Sequence, residues 1–251
     1  MQNNISDNLN KWDYISNYST WMYHIYESYV GKRVFDVGAG MGRMVGYYID
    51  QCEKVIATDI FQNQVDYMNE RFKDYPNFKA TIFDVMTDDL KQYEESFDTV
   101  ICINVLEHLE DDLQAVKNMK KLLCENGHLI LFVPAFQKLY CQLDKNVSHY
   151  RRYNKGQLKT LAEQCDMEVV KNIYFNALGV IPYYLKGKKR VKEDESFSTG
   201  LNENNSKIYN FASKILEPIE KAIPPVFGIS DVIVLKKRGL GNEINYTNSM
   251  L

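Results

Sequence analysis

The sequence predicts an α/β fold: a mostly parallel sheet with helices on both faces. Three observations predict it. Short, continuous apolar runs alternate with helical periodicity from residue 33 to residue 134, as in strands buried on both faces and joined by helical crossovers. The first run, Val34-Phe35-Asp36-Val37, leads straight into Gly38-Ala39-Gly40-Met41-Gly42. A glycine turn between strand and helix lets a ligand approach the backbone and meet free N–H groups. Finally, 251 residues with net charge −3, 45% hydrophobic and 25% charged, fit one ordinary globular domain.

Taken in order, residues 8–29 have helical spacing, with Trp12, Ile15, Tyr18, Trp21, Met22, Ile25 and Tyr26 three or four apart. Strands are expected at Arg33–Val37, Lys54–Asp59, near Phe78–Phe83, at Thr99–Ile103 and at His128–Val133, where Pro134 stops the run. Helices fall between them at Gly42–Gln51, Gln62–Phe72 and Asp111–Cys124, the last closed by Asn126-Gly127. The crossovers should be right-handed. After a loop at 135–154 come a helix, Lys155–Cys165, a strand, Glu168–Phe175, and a final strand, Asp231–Lys236. Residues 176–226 read as a lid-like insertion between the last two strands, with a basic run at Lys186–Lys192, a polar stretch at Glu193–Asn205 and helical spacing over Ile208–Ile223. The expected organisation is one domain, 1–239, with its N-terminal helix inside 1–30 and a disordered tail at 240–251.

The composition excludes several classes. Cys52, Cys102, Cys124, Cys141 and Cys165 form no C-x-x-C pair, which argues against a zinc site or a disulfide framework. Near-neutral charge argues against a nucleic-acid partner. The polar N-terminus is unlike a signal peptide, and no apolar run approaches the roughly 20 residues of a membrane span. A cytoplasmic location is expected, with peripheral membrane contact left open: the Lys186–Lys192 run reads either as a solvated loop or as a patch for anionic lipid.

The glycine turn is G-x-G-x-G, with its third glycine one residue earlier than in a nicotinamide-binding turn. Asp36 sits two residues before it. A carboxylate there repels pyrophosphate and attracts a ligand ammonium group. Asp59 closes the second strand, and Phe83-Asp84-Val85 follows the third. The fourth carries Phe97-Asp98-Thr99-Val100-Ile101-Cys102-Ile103-Asn104-Val105-Leu106-Glu107-His108. This ordered set resembles the class I S-adenosylmethionine (SAM)-dependent methyltransferases over residues 31–134. The resemblance implies a Rossmann-like seven-stranded sheet with an antiparallel last strand, and SAM as cofactor. It assigns Asp36, Gly38, Ala39, Gly40 and Gly42 to the cofactor cradle, Asp59 and Ile60 to the ribose, and Asp84 and Val85 to the adenine. Asn104, Val105 and His108 fall to the methionine side, and Tyr18 closes over the cofactor from the first helix. Plainer readings stay open: Asp59 as a helix cap, Asp84 as a loop aspartate, Tyr18 and Trp21 as core.

A second stretch, His149-Tyr150-Arg151-Arg152-Tyr153, is similar to one common in small-molecule members of that superfamily. His149 is the candidate catalytic base. Tyr150, Arg151 and Arg152 are candidate substrate contacts, the arginines for an anionic group. Asp144 either pairs with one of those arginines or touches an acceptor. No metal is required. The expected reaction is in-line methyl transfer to an O or N atom of a small molecule, such as a sugar or lipid-linked intermediate, leaving S-adenosylhomocysteine. The alternatives are a nicotinamide-dependent oxidoreductase and a non-catalytic SAM-binding partner. Oligomeric state is not legible.

Overall fold

The computed structural model describes residues 16–188 and 203–239. Its elements are α1 (Ser16–Tyr26), β1 (Arg33–Val37), α2 (Val45–Tyr48), β2 (Lys54–Asp59), α3 (Gln62–Arg71), β3 (Phe78–Ile82), β4 (Phe97–Ile103), α4 (Asp112–Leu122), β5 (Leu123–Pro134), α5 (Gln142–Asn146), α6 (Gln157–Gln164), β6 (Met167–Phe175), α7 (Val180–Lys188), α8 (Glu203–Ala222) and β7 (Ser230–Lys237). The seven strands form one sheet in the order β3-β2-β1-β4-β5-β7-β6, mostly parallel with antiparallel last strands, β7 lying between β5 and β6. This is the Rossmann-like arrangement expected. The order reverses between β1 and β4, which lie side by side as parallel strands. Ligands of open α/β sheets bind beyond the carboxyl ends of strands at such a point.

The chain divides into two compact units. The first holds β1–β4 and most of β5, with α6 and parts of β6 and β7. Its core is aromatic. Phe35, fully buried on β1, has ring centroids 5.0 Å from Phe97, 5.1 Å from Tyr93 and 5.4 Å from Phe83. Arg33 holds Asp98 across the entry of β1 and β4 at 2.6 Å. The Thr99 hydroxyl donates to the Tyr29 carbonyl and accepts from the Gly31 N–H. Both contacts fix the register of the two central strands.

The second unit comprises α1, the segment around α5, the end of β6, α7, α8 and the start of β7. Trp21 packs on Phe175 at 4.3 Å between centroids. Asn17 and Asn210 bond α1 to α8 twice, at 2.7 and 3.2 Å. Among its described residues, the insertion between β6 and β7 contains two helices, α7 and α8. Residues 189–202, the tail from 240, and the start of the first helix at 8–15 lie outside the described residues.

Several boundaries differ from expectation, and two have a clear physical reason. The helix expected at Gly42–Gln51 shortens to Val45–Tyr48 and a 3-10 turn, Ile49–Gln51, because Gly42 takes φ +68° and cannot open a helix. Helix α4 stops at Leu122, not Cys124. Leu123 already pairs with Phe97, the ladder skips, and it resumes at Thr99 with His128. Asn126, at φ +62°, and Gly127 thus form a bulge inside β5 instead of a helix cap.

Replacing Phe35 by Ala should cost about 3–5 kcal/mol of stability. Urea titration would read this as a lower midpoint with an unchanged slope.

Candidate cofactor and catalytic site

The glycine turn leaves β1 in left-handed backbone, with φ +66° at Gly38, +61° at Gly40 and +68° at Gly42. The three glycines serve different ends. A Cβ on Gly38 would lie 2.4 Å from Val105 Cγ2, so the turn can pass the end of β4 only without a side chain. A Cβ on Gly42 would meet Phe72 at 2.7 Å and Met68 at 3.1 Å, on and just after α3. Gly40 is open: its nearest neighbour would be Gln64 Oε1 at 3.7 Å. Space over that backbone is what a ligand needs.

Asp59 holds the turn from β2. Its carboxylate accepts the Gly40 and Phe61 N–H groups, each at 3.0 Å. The Ala39 N–H donates to the Thr58 carbonyl at 2.8 Å. Asp59 is therefore tied both to the turn and to the entry of α3, so the ribose and cap readings draw on the same carboxylate. Burial pushes its pKa up. Ile60 and Phe61 follow it directly and are 59% and 56% exposed, two large apolar side chains in a row at a strand end.

Asp36 is buried at the end of β1 and accepts the Tyr48 hydroxyl at 2.6 Å. Burial raises its pKa to about 7; the Tyr48 hydrogen bond pulls it down and the charge of Asp59 adds to the rise. A buried carboxylate half protonated near neutrality is stabilised as an anion by any cation that arrives.

Asn104 ends β4 at φ +53° and donates its N–H to the Phe132 carbonyl at 2.8 Å. Asparagine tolerates this conformation better than most residues. His108 closes the 3-10 turn that follows, its N–H on the Val105 carbonyl at 2.9 Å. Asp84 turns one carboxylate oxygen back onto the Met86 N–H at 2.8 Å. Val85 is buried, and its carbonyl accepts from Asn118 at 2.8 Å. Asp36, Gly38, Ala39, Gly40, Gly42, Asp59, Ile60, Asp84, Val85, Asn104, Val105 and His108 thus all belong to the unit built on β1–β4.

Tyr18 belongs to the other unit. It sits among Trp21, Phe175 and Tyr209, with centroids 5.3 Å from the last two. The same unit holds a buried polar hub at Asp144. Its carboxylate accepts from Arg152 Nε at 2.7 Å, the Tyr183 hydroxyl at 2.8 Å, the Cys141 N–H at 2.9 Å and His149 Nδ1 at 3.0 Å. Burial alone would raise the Asp144 pKa, but these donors and the Arg152 charge outweigh it and hold the group below its usual range. The His149 side chain is only 14% exposed. With Nδ1 on the carboxylate, the tautomer that donates there leaves Nε2 as the acceptor.

Arg152 is the residue expected, with Arg151, at an anionic substrate group. It is buried, also bonds the Ala135 carbonyl at 3.2 Å, and stacks 4.1 Å from the Tyr183 ring centre. Tyr150 is 53% exposed, and Arg151 lies over its ring at 5.7 Å. Sequence reasoning missed Tyr48 and Tyr183. Each holds a carboxylate from another element, and a tyrosine in a helical run carries no local sign of that.

Residues 35–129 match the family model described as a methyltransferase domain. The chain is 30% identical over 131 residues to phosphoethanolamine N-methyltransferase 1 of Triticum aestivum, covering 51% of this chain and 26% of that protein. It is 25% identical over 171 residues to the ubiquinone biosynthesis O-methyltransferase of Actinobacillus pleuropneumoniae, covering 59% of this chain and 71% of that protein. In fold it is similar to the YcgJ protein of Bacillus subtilis, with a TM-score of 0.59 at 15% identity over 88% of this chain and 99% of that one. The chain spans about a quarter to two fifths of the length of the first curated relatives it matches. Residues 35–129 thus carry a methyltransferase domain, for which SAM is the expected cofactor. Its residues fit that cofactor: an open backbone at Gly40, a buried carboxylate at Asp36 for a cation, and exposed apolar side chains at Ile60 and Phe61.

Asp36→Asn provides a check. Because the folded pKa of Asp36 is raised to about 7 from 3.8, the wild type loses stability as pH rises through that window, by about 4 kcal/mol at most. Thermal melts should therefore show D36N above the wild type at pH 8, converging near pH 4, while calorimetry finds weaker SAM binding.

Proposed function

We propose that this protein transfers a methyl group from SAM to an oxygen atom of a small-molecule acceptor. The single observation that carries the cofactor half is the buried Asp36 carboxylate under a glycine turn open at Gly40. It favours a cationic ligand over a dinucleotide and so ranks this reading above an oxidoreductase.

When bound, SAM supplies an activated methyl group on a sulfonium, so the transfer itself needs no metal. The chain's own residues must bind, orient and manage one proton. Asp36 takes the ligand's ammonium, and Asp59 takes the ribose hydroxyls with the lone pairs its backbone N–H partners leave. Ile60 and Phe61 cover apolar ligand surface and exclude water. Asp84, Val85, Asn104, Val105, His108 and Tyr18 are further proposed cofactor contacts.

The Asp144–His149 pair supports the oxygen acceptor. A buried carboxylate that orients an imidazole through Nδ1 is the usual support for a base acting through Nε2. A hydroxyl must lose a proton as it is methylated, whereas a neutral amine is already nucleophilic. Arg152 and Tyr183 hold Asp144 and are positioning residues. Tyr150 and Arg151 remain the proposed acceptor contacts, Arg151 toward an anionic group. The relatives named for N- and O-methylation support the chemistry but divide over the atom.

Calorimetry should detect SAM binding and none of NAD; the reverse would sink the cofactor reading. With a panel of hydroxyl and amine acceptors, His149→Gln should lower turnover roughly 10²–10⁴-fold, leaving SAM affinity within about twofold. An unchanged rate would reject the base role, and no transfer to any acceptor despite normal SAM binding would favour a non-catalytic partner.

A further inference from the structure

Helix α8 presents an apolar stripe outward. Ile208, Phe211, Ile215 and Ile219 recur three and four residues apart and are each half exposed or more. Ile223, Val226 and Phe227 extend it beyond the helix. On and just before α7, Leu178, Ile181 and Leu185 are also more than half exposed. Isolated exposed apolar residues are ordinary, but a run of this length on one helix face marks an interaction surface.

Charges are sorted around the stripe. Lys207, Lys214 and Lys221 recur every seventh residue, all exposed, and line one flank. The acids of the same stretch point inward. Glu220 accepts the Asn176 and Ala177 N–H groups at 3.0 and 2.8 Å, and Glu217 pairs with His24 on α1. Tyr209 and Ser213 share that inner side: Tyr209 bonds Asn176, and Ser213 is buried. Lys186 and Lys188 follow the apolar residues of α7.

We propose that this face of α8, with the exposed residues of α7, docks on an anionic lipid bilayer. An apolar stripe bordered by lysines on a helix whose other side is packed has the form of a helix lying in the membrane interface. The lysine stems extend over apolar surface while their ammonium groups reach the headgroups. Charge decides between a bilayer and a second copy of the chain. A copy would set lysines against lysines, and Glu217 and Glu220, the helix's acids among the described side chains, are bonded inward. A layer of anionic headgroups supplies negative charge along the whole flank. Docking needs no crossing segment, and no described helix is long and apolar enough to cross a membrane. The inference stands independently of methyl transfer.

Flotation of the full chain with phosphatidylcholine vesicles, with and without phosphatidylglycerol, tests it. Binding should appear on the phosphatidylglycerol vesicles, be at least about tenfold weaker without that lipid, and weaken with added salt. Replacing Lys207, Lys214 and Lys221 by Gln should reduce partitioning about a hundredfold. Phe211→Ser with Ile215→Ser should abolish it while thermal melts stay unchanged. As a second readout, Phe211→Trp should shift its emission to the blue when phosphatidylglycerol vesicles are added. Wild-type protein that stays in solution at low salt would overturn the proposal. So would a concentration-dependent dimer that the serine pair breaks, which would give the face to a second copy.

Discussion

The approach of the glycine turn to the end of β4 sets the arrangement of the residues around that turn. Gly38 passes so close to Val105 that a Cβ would overlap it at 2.4 Å. The approach follows from β1 and β4 being neighbours where the strand order reverses. It requires a glycine, turns the chain sharply in left-handed backbone, and leaves Asp36 beneath the turn with Gly40 facing outward. Asp59 completes the arrangement from the opposite neighbour, β2, by bonding the Gly40 N–H. Three adjacent parallel strands thus converge on one backbone segment.

The two buried aspartates show opposite uses of burial. At Asp36 desolvation dominates, and one tyrosine hydroxyl offsets it only in part. Such a group lowers the stability of the protein alone and gains most when a cation arrives, which is a common exchange of stability for binding. At Asp144 four donors, one of them charged, overcome desolvation. That carboxylate is satisfied internally and has little to offer a ligand directly. It holds His149 through Nδ1, and Arg152 contributes by keeping the carboxylate ionised.

The insertion between β6 and β7 looked in sequence like a basic run, a polar gap and a helical stretch. The structure divides the helical stretch by face. Both glutamates of α8 within the described side chains are spent inside their unit, on α1 and on the turn at Asn176. The exposed isoleucines stay outside. The sequence period shows that α8 is amphipathic, but not that its more apolar side is the exposed one. The usual expectation is the reverse, and only the packing of Tyr209, Ser213 and Glu220 reveals the inversion.

The sequence by itself determined the strands, most of their boundaries, the parallel sheet and the cofactor family, because these rest on local signals. Continuous apolar runs mark strands buried on both faces, and glycines mark left-handed backbone. Acids at strand ends fall at fixed distances from the turn. Tertiary structure decided the partners. Tyr48 on Asp36 and Tyr183 on Asp144 come from residues 12 and 39 positions away. Arg152 is buried on Asp144, and Leu123 leaves its helix to pair with Phe97. Hydrogen bonding and desolvation depend on which groups meet in space, and for these residues the meeting is set by the packing of distant segments.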